Sequence, residues 1–197
     1  GRAERAGYKF MNLDLVSIRM VREKTLKGVV DVIRGSSDAG DFFKLLLQDL
    51  DREVVALLTL DHKKAPINVS VISIGTVNST LLHPREVFKT AVLSNASGII
   101  LAHNHPSGNV EPSEQDLQVT QRIQEAGALL GIELIDHIVI GDGNYYSLRE
   151  NNLFPFNSKQ MKHTEMVSDP TMQELDKKFR RILEKSRLGS IEKNEKG

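Results

Sequence analysis

The apolar run GIILA, at residues 98–102, constrains the fold more than any other part of this chain. The run is short, rich in β-branched residues and apolar at every position. Side chains alternate between the two faces of a strand, so a strand that is apolar throughout must be covered on both faces. We therefore predict that residues 98–102 form a central strand of a sheet flanked by helices.

Segments with strand-like and helix-like patterns alternate along the rest of the chain. The strand predictions rest on alternating or continuous apolar residues, and the helix predictions on apolar residues three or four positions apart. Strands are predicted at residues 15–22, 53–61, 67–75, 132–140 and 145–148, and helices within residues 36–50, 83–98 and 112–131. This alternation predicts the α/β fold class, with a mixed sheet between helices.

The composition divides the chain into one domain and two extensions. We expect the domain to span residues 12–153. Because the chain begins on Gly1, we expect residues 1–11 to be a tail left by processing or cloning. Residues 154–197 are more polar and contain an amphipathic helix pattern at 169–189, followed by a charged tail. That helix would pack on its own domain, or bind a partner or a second copy of the chain.

The composition also excludes several classes of function. The chain has no cysteine, which excludes disulfides, thiolate-ligated zinc and the zinc nucleobase deaminases that use cysteine ligands. Its 26 basic and 26 acidic residues balance, so the charge does not indicate a DNA-binding protein. No apolar run is long enough to cross a bilayer and no secretory signal is recognisable. We expect a cytoplasmic protein without a membrane partner.

Two histidines, His103 and His105, follow the central strand in the stretch HNHPSG. These letters suggest three interpretations: an HNH nuclease, a metal site or a polar turn. HNH nucleases disperse their named residues over a ββα element, so the adjacency here argues against the first. Residues i and i+2 of a strand share a face, and ligands of α/β proteins bind beyond the carboxyl ends of strands. The two imidazoles can therefore converge on one cation, while Asn104 points away and can tie down the turn.

Ser113 and Asp116 stand at the start of the helix pattern that follows the histidines. One interpretation is structural: a serine N-cap with an acidic residue three positions later resembles a capping box. The other is that Asp116 is a third metal ligand. Three protein ligands leave the fourth position of zinc for water, which is typical of catalytic zinc sites.

The motif HNHPSGNVEPSEQD has the spacing H-x-H, seven residues, S, two residues, D, and it resembles the JAMM metalloprotease pattern. The stretches HPREVF, NASGIILAHNHPSG and LIDHIVIGDGNYYSL resemble the RadC-like branch of the JAB/MPN superfamily. The resemblance covers about residues 37–151 and implies a single domain of the JAB/MPN (cytidine-deaminase-like) fold. Members often carry an upstream helix-hairpin-helix domain that binds DNA, for which we expect no room here.

The resemblance also implies a set of roles. His103, His105 and Asp116 would hold one zinc ion, and Ser113 would position the water or stabilise the oxyanion. Glu53, at the start of a predicted strand, would be the general base. Three other glutamates are alternatives for that base: Glu86, Glu111 and Glu114.

These residues imply a zinc metallohydrolase that cleaves peptide or isopeptide bonds in a peptide or protein substrate, such as one containing a ubiquitin-like domain. The first alternative is a RadC-like accessory protein of DNA repair or recombination, with a vestigial or differently used metal site. A metal-dependent nuclease ranks third, because the chain lacks a basic patch. His137, in LIDHIVI, is predicted to be a hydrogen-bonded sheet residue, with support of a zinc ligand as the alternative.

Overall fold

The predicted central strand lies in the middle of a five-stranded sheet. The computed structural model of the protein describes residues 12–75 and 82–156. The elements are α1 (Ser36–Leu47), β1 (Val54–Leu60), β2 (Pro66–Ile74), α2 (Pro84–Leu93), β3 (Gly98–Asn104), α3 (Glu114–Leu130), β4 (Glu133–Gly141) and β5 (Asn144–Ser147). The strand order is β2-β1-β3-β4-β5, in which β3 and β4 are parallel and the other neighbours antiparallel. The α/β fold class with a mixed sheet is confirmed.

Helix α1 covers one face of the sheet. All seven residues of β3 are buried, as predicted, and so are all seven of β1. Alternate residues of these strands pack with the buried side of α1, where Phe43 is fully buried and Leu47 is 1 % exposed. Full burial of one such side chain stabilises the folded state by about 1.5–3 kcal/mol. The hydrophobic cluster on this face consists of Ile33, Ala39, Phe43, Leu47, Val54, Ala56, Leu58, Leu60, Ile100, Ala102, Ile138 and Ile140.

Helix α3 covers the opposite face, where it packs against β4 and α2. Its buried residues lie on one face of the helix, at positions i, i+3, i+4, i+7 and i+11: Asp116, Val119, Thr120, Ile123 and Gly127. The helix begins at a capping box formed by Ser113 and ends at Gly131, which has the left-handed φ of 69° that glycine adopts easily. This helix therefore brings its first turn to the end of β3 from which the two histidines project.

The strand predicted at residues 15–22 does not form, and that prediction is wrong. The segment has no regular secondary structure, and Leu15, Val16 and Ile18 are 72–103 % exposed. The sulfur of Met20 accepts a weak hydrogen bond from the hydroxyl of Ser94 at 3.7 Å. Alternating apolar residues favour a strand only where a neighbouring strand accepts its backbone hydrogen bonds, and this segment has no such neighbour in the described ranges.

Two of the predicted segments lie outside the described residues: the tail at 1–11 and the amphipathic helix at 169–189. The boundaries assigned to the domain and its extensions stay predictions. The longest helix of the described part is α3, with 17 residues, and none there combines the length and apolarity needed to span a membrane.

Candidate metal centre

The carboxyl end of β3 presents two histidine side chains to α3. His103 and His105 lie two positions apart on the same face, and the first turn of α3 places Asp116 beside them. The nitrogen Nε2 of His103 lies 3.0 Å from Nε2 of His105 and 3.2 Å from Oδ1 of Asp116. Nε2 of His105 lies 3.6 Å from Oδ2 of Asp116. The structure thus brings together the three residues that the sequence predicts as ligands.

This group fits a zinc ion. Tetrahedral ligands at 2.0–2.1 Å from zinc are separated from one another by about 3.3 Å, close to the distances among His103, His105 and Asp116. Imidazole nitrogen and carboxylate oxygen are both common zinc ligands. His103 and Asp116 are 1 % and 3 % exposed, whereas His105 is half-buried, so the group is reachable from one side only.

A backbone carbonyl orients His105. Its Nδ1 lies 2.7 Å from the carbonyl oxygen of Asn109, which can only accept a hydrogen bond. Nδ1 therefore carries the proton, and the lone pair of Nε2 faces His103 and Asp116. A ligating histidine commonly donates its second ring N–H in this way, which fixes the tautomer that can bind the metal.

Ser113 orients the carboxylate of Asp116 by hydrogen bonding. Oδ2 of Asp116 accepts hydrogen bonds from the Ser113 backbone N–H at 2.7 Å and from its hydroxyl at 2.6 Å. Burial alone would raise the pKa of Asp116, but hydrogen bonds from His103, His105 and Ser113 outweigh it and hold the pKa well below its usual range. The carboxylate is therefore ionised, with Oδ1 directed toward His103.

The capping interpretation of Ser113 is therefore confirmed, since both hydrogen bonds of the box are present. The serine is exposed, and its hydroxyl hydrogen is donated to Asp116 rather than into the space between the histidines. A catalytic role for Ser113 stays a prediction, and what the structure shows is that the serine positions a candidate ligand.

The strand pairing places Glu53 beside His105. Strand β1 is antiparallel to β3, with Val55 opposite His103. Continuing that register by two residues puts Glu53 opposite His105 on the same face of the sheet. A hydrogen bond with Asp116 raises the pKa of His105, and the charge of Glu53 contributes in the same direction. Glu53 is half-buried at the open side of the group, where a general base is needed.

The three alternative glutamates are less suitably placed than Glu53 to act as the general base. Glu86 is bound to Lys89 at 2.7 Å on an exposed face of α2. Glu111 and Glu114 are exposed on the loop before α3 and on its first residue. Of the four glutamates, Glu53 is the one whose charge acts on a histidine of the group.

Two buried residues behind His103 extend the centre into the protein. His137 on β4 is 2 % exposed, and its Nε2 lies 2.9 Å from Nδ1 of His103. Its Nδ1 lies 2.6 Å from the hydroxyl of Thr120 on α3. Burial, and then the charge of nearby His103, lowers the pKa of His137 to about 3, so its ring is neutral at neutral pH. His137 is thus in contact with a candidate ligand, the alternative that the sequence left open.

The sequence reasoning missed the role of Thr120. In the sequence, Thr120 lies within the apolar stripe of a predicted helix, where a threonine is unremarkable. A signal was available, because a polar residue four positions after Asp116 must lie on the same helix face as that ligand. Asn104 was likewise expected to tie down the turn, but its side chain reaches the start of β1, where Oδ1 accepts a hydrogen bond from the Val54 N–H at 2.8 Å.

A comparison with protein families decides the membership of the chain. The family described as "RadC-like JAB domain" matches residues 33–153, which is more than half of the sequence. The chain belongs to the RadC-like JAB family. The match includes Glu53, the three candidate ligands and His137.

Relatives in the RadC-like JAB family are similar over the same region. A "UPF0758 protein" of Moorella thermoacetica is 47 % identical over 122 residues, which cover 62 % of this chain and 53 % of the relative. The corresponding protein of Rubrobacter xylanophilus is 44 % identical, with the same coverage of both chains. That of Methanococcoides burtonii is 45 % identical over 123 residues, covering 61 % of this chain and 54 % of the relative. The chain therefore spans about half the length of the relatives it matches.

Proposed function

We propose that this RadC-like JAB domain is a zinc-dependent metallohydrolase of the JAMM type, which cleaves peptide or isopeptide bonds. The observation that carries the proposal is the convergence of His103, His105 and Asp116, whose ligating atoms all lie within 4.8 Å of one another. Three protein ligands around one point suit a catalytic zinc site, because the remaining position is left for water.

The roles of the residues follow from their positions. His103, His105 and Asp116 would hold the ion, which when bound supplies Lewis-acid chemistry by activating water at neutral pH and polarising a carbonyl oxygen. Glu53 would accept the proton of the attacking water. It would later deliver that proton to the leaving amine, which must be protonated before it can depart.

Three features of the chain support this division of labour. Glu53 belongs to a different strand from the ligands, so its carboxylate can act as a base without being a ligand. Ser113 donates two hydrogen bonds to Asp116, which leaves the other carboxylate oxygen for the ion. The buried side of the group excludes water, and the open side at His105 admits substrate.

The proposed substrate is a peptide or a protein, including proteins that carry a ubiquitin-like domain. An amide bond is the proposed target because its hydrolysis needs both an activated water and a proton donor for the amine. Nucleic acid is not favoured by the charge of the chain, which has equal numbers of basic and acidic residues.

Metal analysis and two glutamate variants test the proposal. The purified protein is expected to bind one zinc ion per chain. Glu53→Gln should keep that zinc and lower the turnover of peptides or ubiquitin-like fusions by about 10²–10⁴-fold. Glu86→Gln is the matched control, since Glu86 pairs with Lys89 on the surface, and it should leave the turnover unchanged.

The same assay with DNA separates the competing functions. A protein that holds no stoichiometric zinc would overturn the proposal. Cleavage of DNA that is abolished by Glu53→Gln, with amides untouched, would favour the nuclease. Zinc binding with no hydrolysis of any substrate would favour an accessory protein.

A further inference from the structure

We propose that His137 and Thr120 form a directional hydrogen-bond relay that fixes the tautomer of His103 and makes its Nε2 available as a metal ligand. The proposal rests on the metal site of the proposed function, but it concerns residues that the motif H-x-H…S-x-x-D does not contain. His137 and Thr120 are positioning residues, because neither touches the space between the three candidate ligands.

The direction of the relay is set at its far end. The hydroxyl of Thr120 lies 2.5 Å from the backbone carbonyl oxygen of Asp116, which can only accept a hydrogen bond. The single hydrogen of the threonine is therefore donated to that carbonyl. The same hydroxyl oxygen lies 2.6 Å from Nδ1 of His137, so at this contact the oxygen accepts and Nδ1 carries the proton.

The proton on Nδ1 of His137 decides the state of His103. A neutral imidazole with a proton on Nδ1 has its lone pair on Nε2. Nε2 of His137 lies 2.9 Å from Nδ1 of His103, so Nδ1 of His103 must donate. His103 then carries a proton on Nδ1, which makes Nε2 the nitrogen that can bind an ion between His105 and Asp116.

The opposite direction would close the site to a metal ion. If Thr120 donated to His137, the ring of His137 would carry its proton on Nε2 and donate it to Nδ1 of His103. His103 would then hold its own proton on Nε2, in the place of the metal. Both rings and the threonine are buried, so no water competes to reverse the relay. The carbonyl of Asp116 sets its direction against the pull of the Asp116 carboxylate, whose Oδ1 lies 3.2 Å from Nε2 of His103 and attracts a proton to that nitrogen.

The group that accepts the Nδ1 hydrogen of His103 is an unusual partner for a ligating histidine. Ligating histidines commonly donate to a carboxylate, a backbone carbonyl or water, and His105 follows this rule with the carbonyl of Asn109. His103 donates to a neutral imidazole instead. The relay thus fixes one ligand without adding negative charge to the buried side of the centre.

Nitrogen NMR of the metal-free protein tests the relay directly. Two-bond proton–nitrogen spectra should show a proton on Nδ1 of His103 and on Nδ1 of His137, with His103→Gln and His137→Gln used to assign the signals. A wild-type His103 with a proton on Nε2 and none on Nδ1 would overturn the proposal, and so would a His137 that carries its proton on Nε2. This measurement does not depend on zinc. A protein that binds no zinc would overturn the proposed function, whereas the relay would still be tested by the positions of the protons on His103 and His137.

Threonine variants provide the second test. Thr120→Val removes the hydroxyl with little change of shape, so part of the His103 population should move its proton to Nε2. Zinc affinity, measured by competition with a chromogenic chelator, should fall about 10–100-fold. Thr120→Ser keeps the hydroxyl and should restore both the tautomer and the affinity to within a few-fold of wild type.

Thr59→Val is the matched control. Thr59 is fully buried on β1, and its hydroxyl is bonded to Asn68 rather than to the centre. The relay predicts that Thr59→Val lowers stability but leaves the His103 tautomer and the zinc affinity unchanged. Equal losses of zinc affinity in Thr59→Val and Thr120→Val would overturn the relay, and so would a Thr120→Val protein whose tautomer and affinity match the wild type.

Discussion

The side chain of Asn104, between the two candidate histidine ligands, accepts a hydrogen bond from the backbone N–H of Val54 at 2.8 Å. Its amide also donates to the carbonyl oxygen of Arg52 at 3.0 Å. These two bonds hold the residues on both sides of Glu53. The asparagine that faces away from the metal ligands therefore fixes the strand end that carries the proposed base.

Asn104→Ala should destabilise the protein and lower its activity without removing the metal. The loss leaves the Val54 N–H buried without its partner, which costs about 1–3 kcal/mol. Denaturant unfolding measures this cost, and metal analysis should still find one zinc ion per chain. Asn151→Ala is the control, because its exposed side chain also donates to a backbone carbonyl, and it should cost less than about 0.5 kcal/mol. Equal losses in the two variants would contradict the assigned role of Asn104.

Asp116→Asn should weaken zinc binding by at least about 100-fold, because a neutral amide replaces the one anionic ligand of the group. The chelator competition assay measures the affinity. Asp142→Asn is the matched control, since Asp142 is exposed in a turn with a left-handed φ of 46°, which asparagine adopts readily. If Asp116→Asn binds zinc as tightly as Asp142→Asn does, Asp116 is only a helix-capping residue.

The metal-free protein should lose stability as the pH falls from about 6.5 toward 3. His137 has a folded-state pKa of about 3, lowered by burial from the unfolded value of 6.5. Between these pH values the unfolded chain binds a proton that the folded protein does not, so the free energy of unfolding drops by about 1.4 kcal/mol per pH unit from this group. Urea unfolding at a series of pH values in the presence of a chelator measures the slope. A slope that is unchanged in His137→Gln would show that this loss of stability does not come from His137.

The contribution of His105 should have the opposite pH dependence, so that it makes the metal-free protein less stable as the pH rises. Its pKa is raised in the folded metal-free protein by a hydrogen bond with Asp116. Its contribution to stability is therefore complete below the unfolded pKa of about 6.5 and is lost as the pH rises through the folded pKa. The same urea series should show that loss in wild type and not in His105→Gln, and identical profiles above pH 6.5 would contradict it.

Gly127→Ala should destabilise the fold. A methyl group at this position of α3 would lie 2.3 Å from the carbonyl oxygen of Ile132, so the helix would have to move away from the start of β4. We expect a loss of about 1–3 kcal/mol in the free energy of unfolding, measured by urea denaturation. In an exposed helix interior the same substitution would stabilise the protein by about 1 kcal/mol. The sign of the change in the free energy of unfolding therefore shows whether the close contact with Ile132 exists.

Hydrophobic pattern was sufficient to predict most of the fold. The helix that begins within PSEQD satisfies several rules at once, namely the apolar period, a capping residue and a terminating glycine, and the strand at GIILA is apolar at every position. The segment at 15–22 satisfied only one, its alternation, and it remains exposed because a strand also needs a neighbour. No property of those eight residues alone could have shown whether that neighbour exists.

The candidate ligands could be predicted because they are close in sequence, on one strand end and the helix that follows it. The hydrogen bonds of His137 and Thr120 could not, since they join residues from β4 and α3 whose meeting depends on the register of the sheet. The position of Glu53 depends on the antiparallel pairing of β1 with β3, which the residue pattern does not give, and the family resemblance implied only its role as the base.

The residues of the candidate site come from two separate segments of the chain, so the two parts of the proposed function can be lost independently. The three candidate ligands and the relay all belong to the continuous β3–α3–β4 unit, whereas Glu53 is contributed by the separate strand β1. In the proposed function, ion binding and bond cleavage would therefore be encoded in different segments. If the chain is the proposed hydrolase, a single substitution at Glu53 would convert it into a scaffold protein that still holds its ion and its shape.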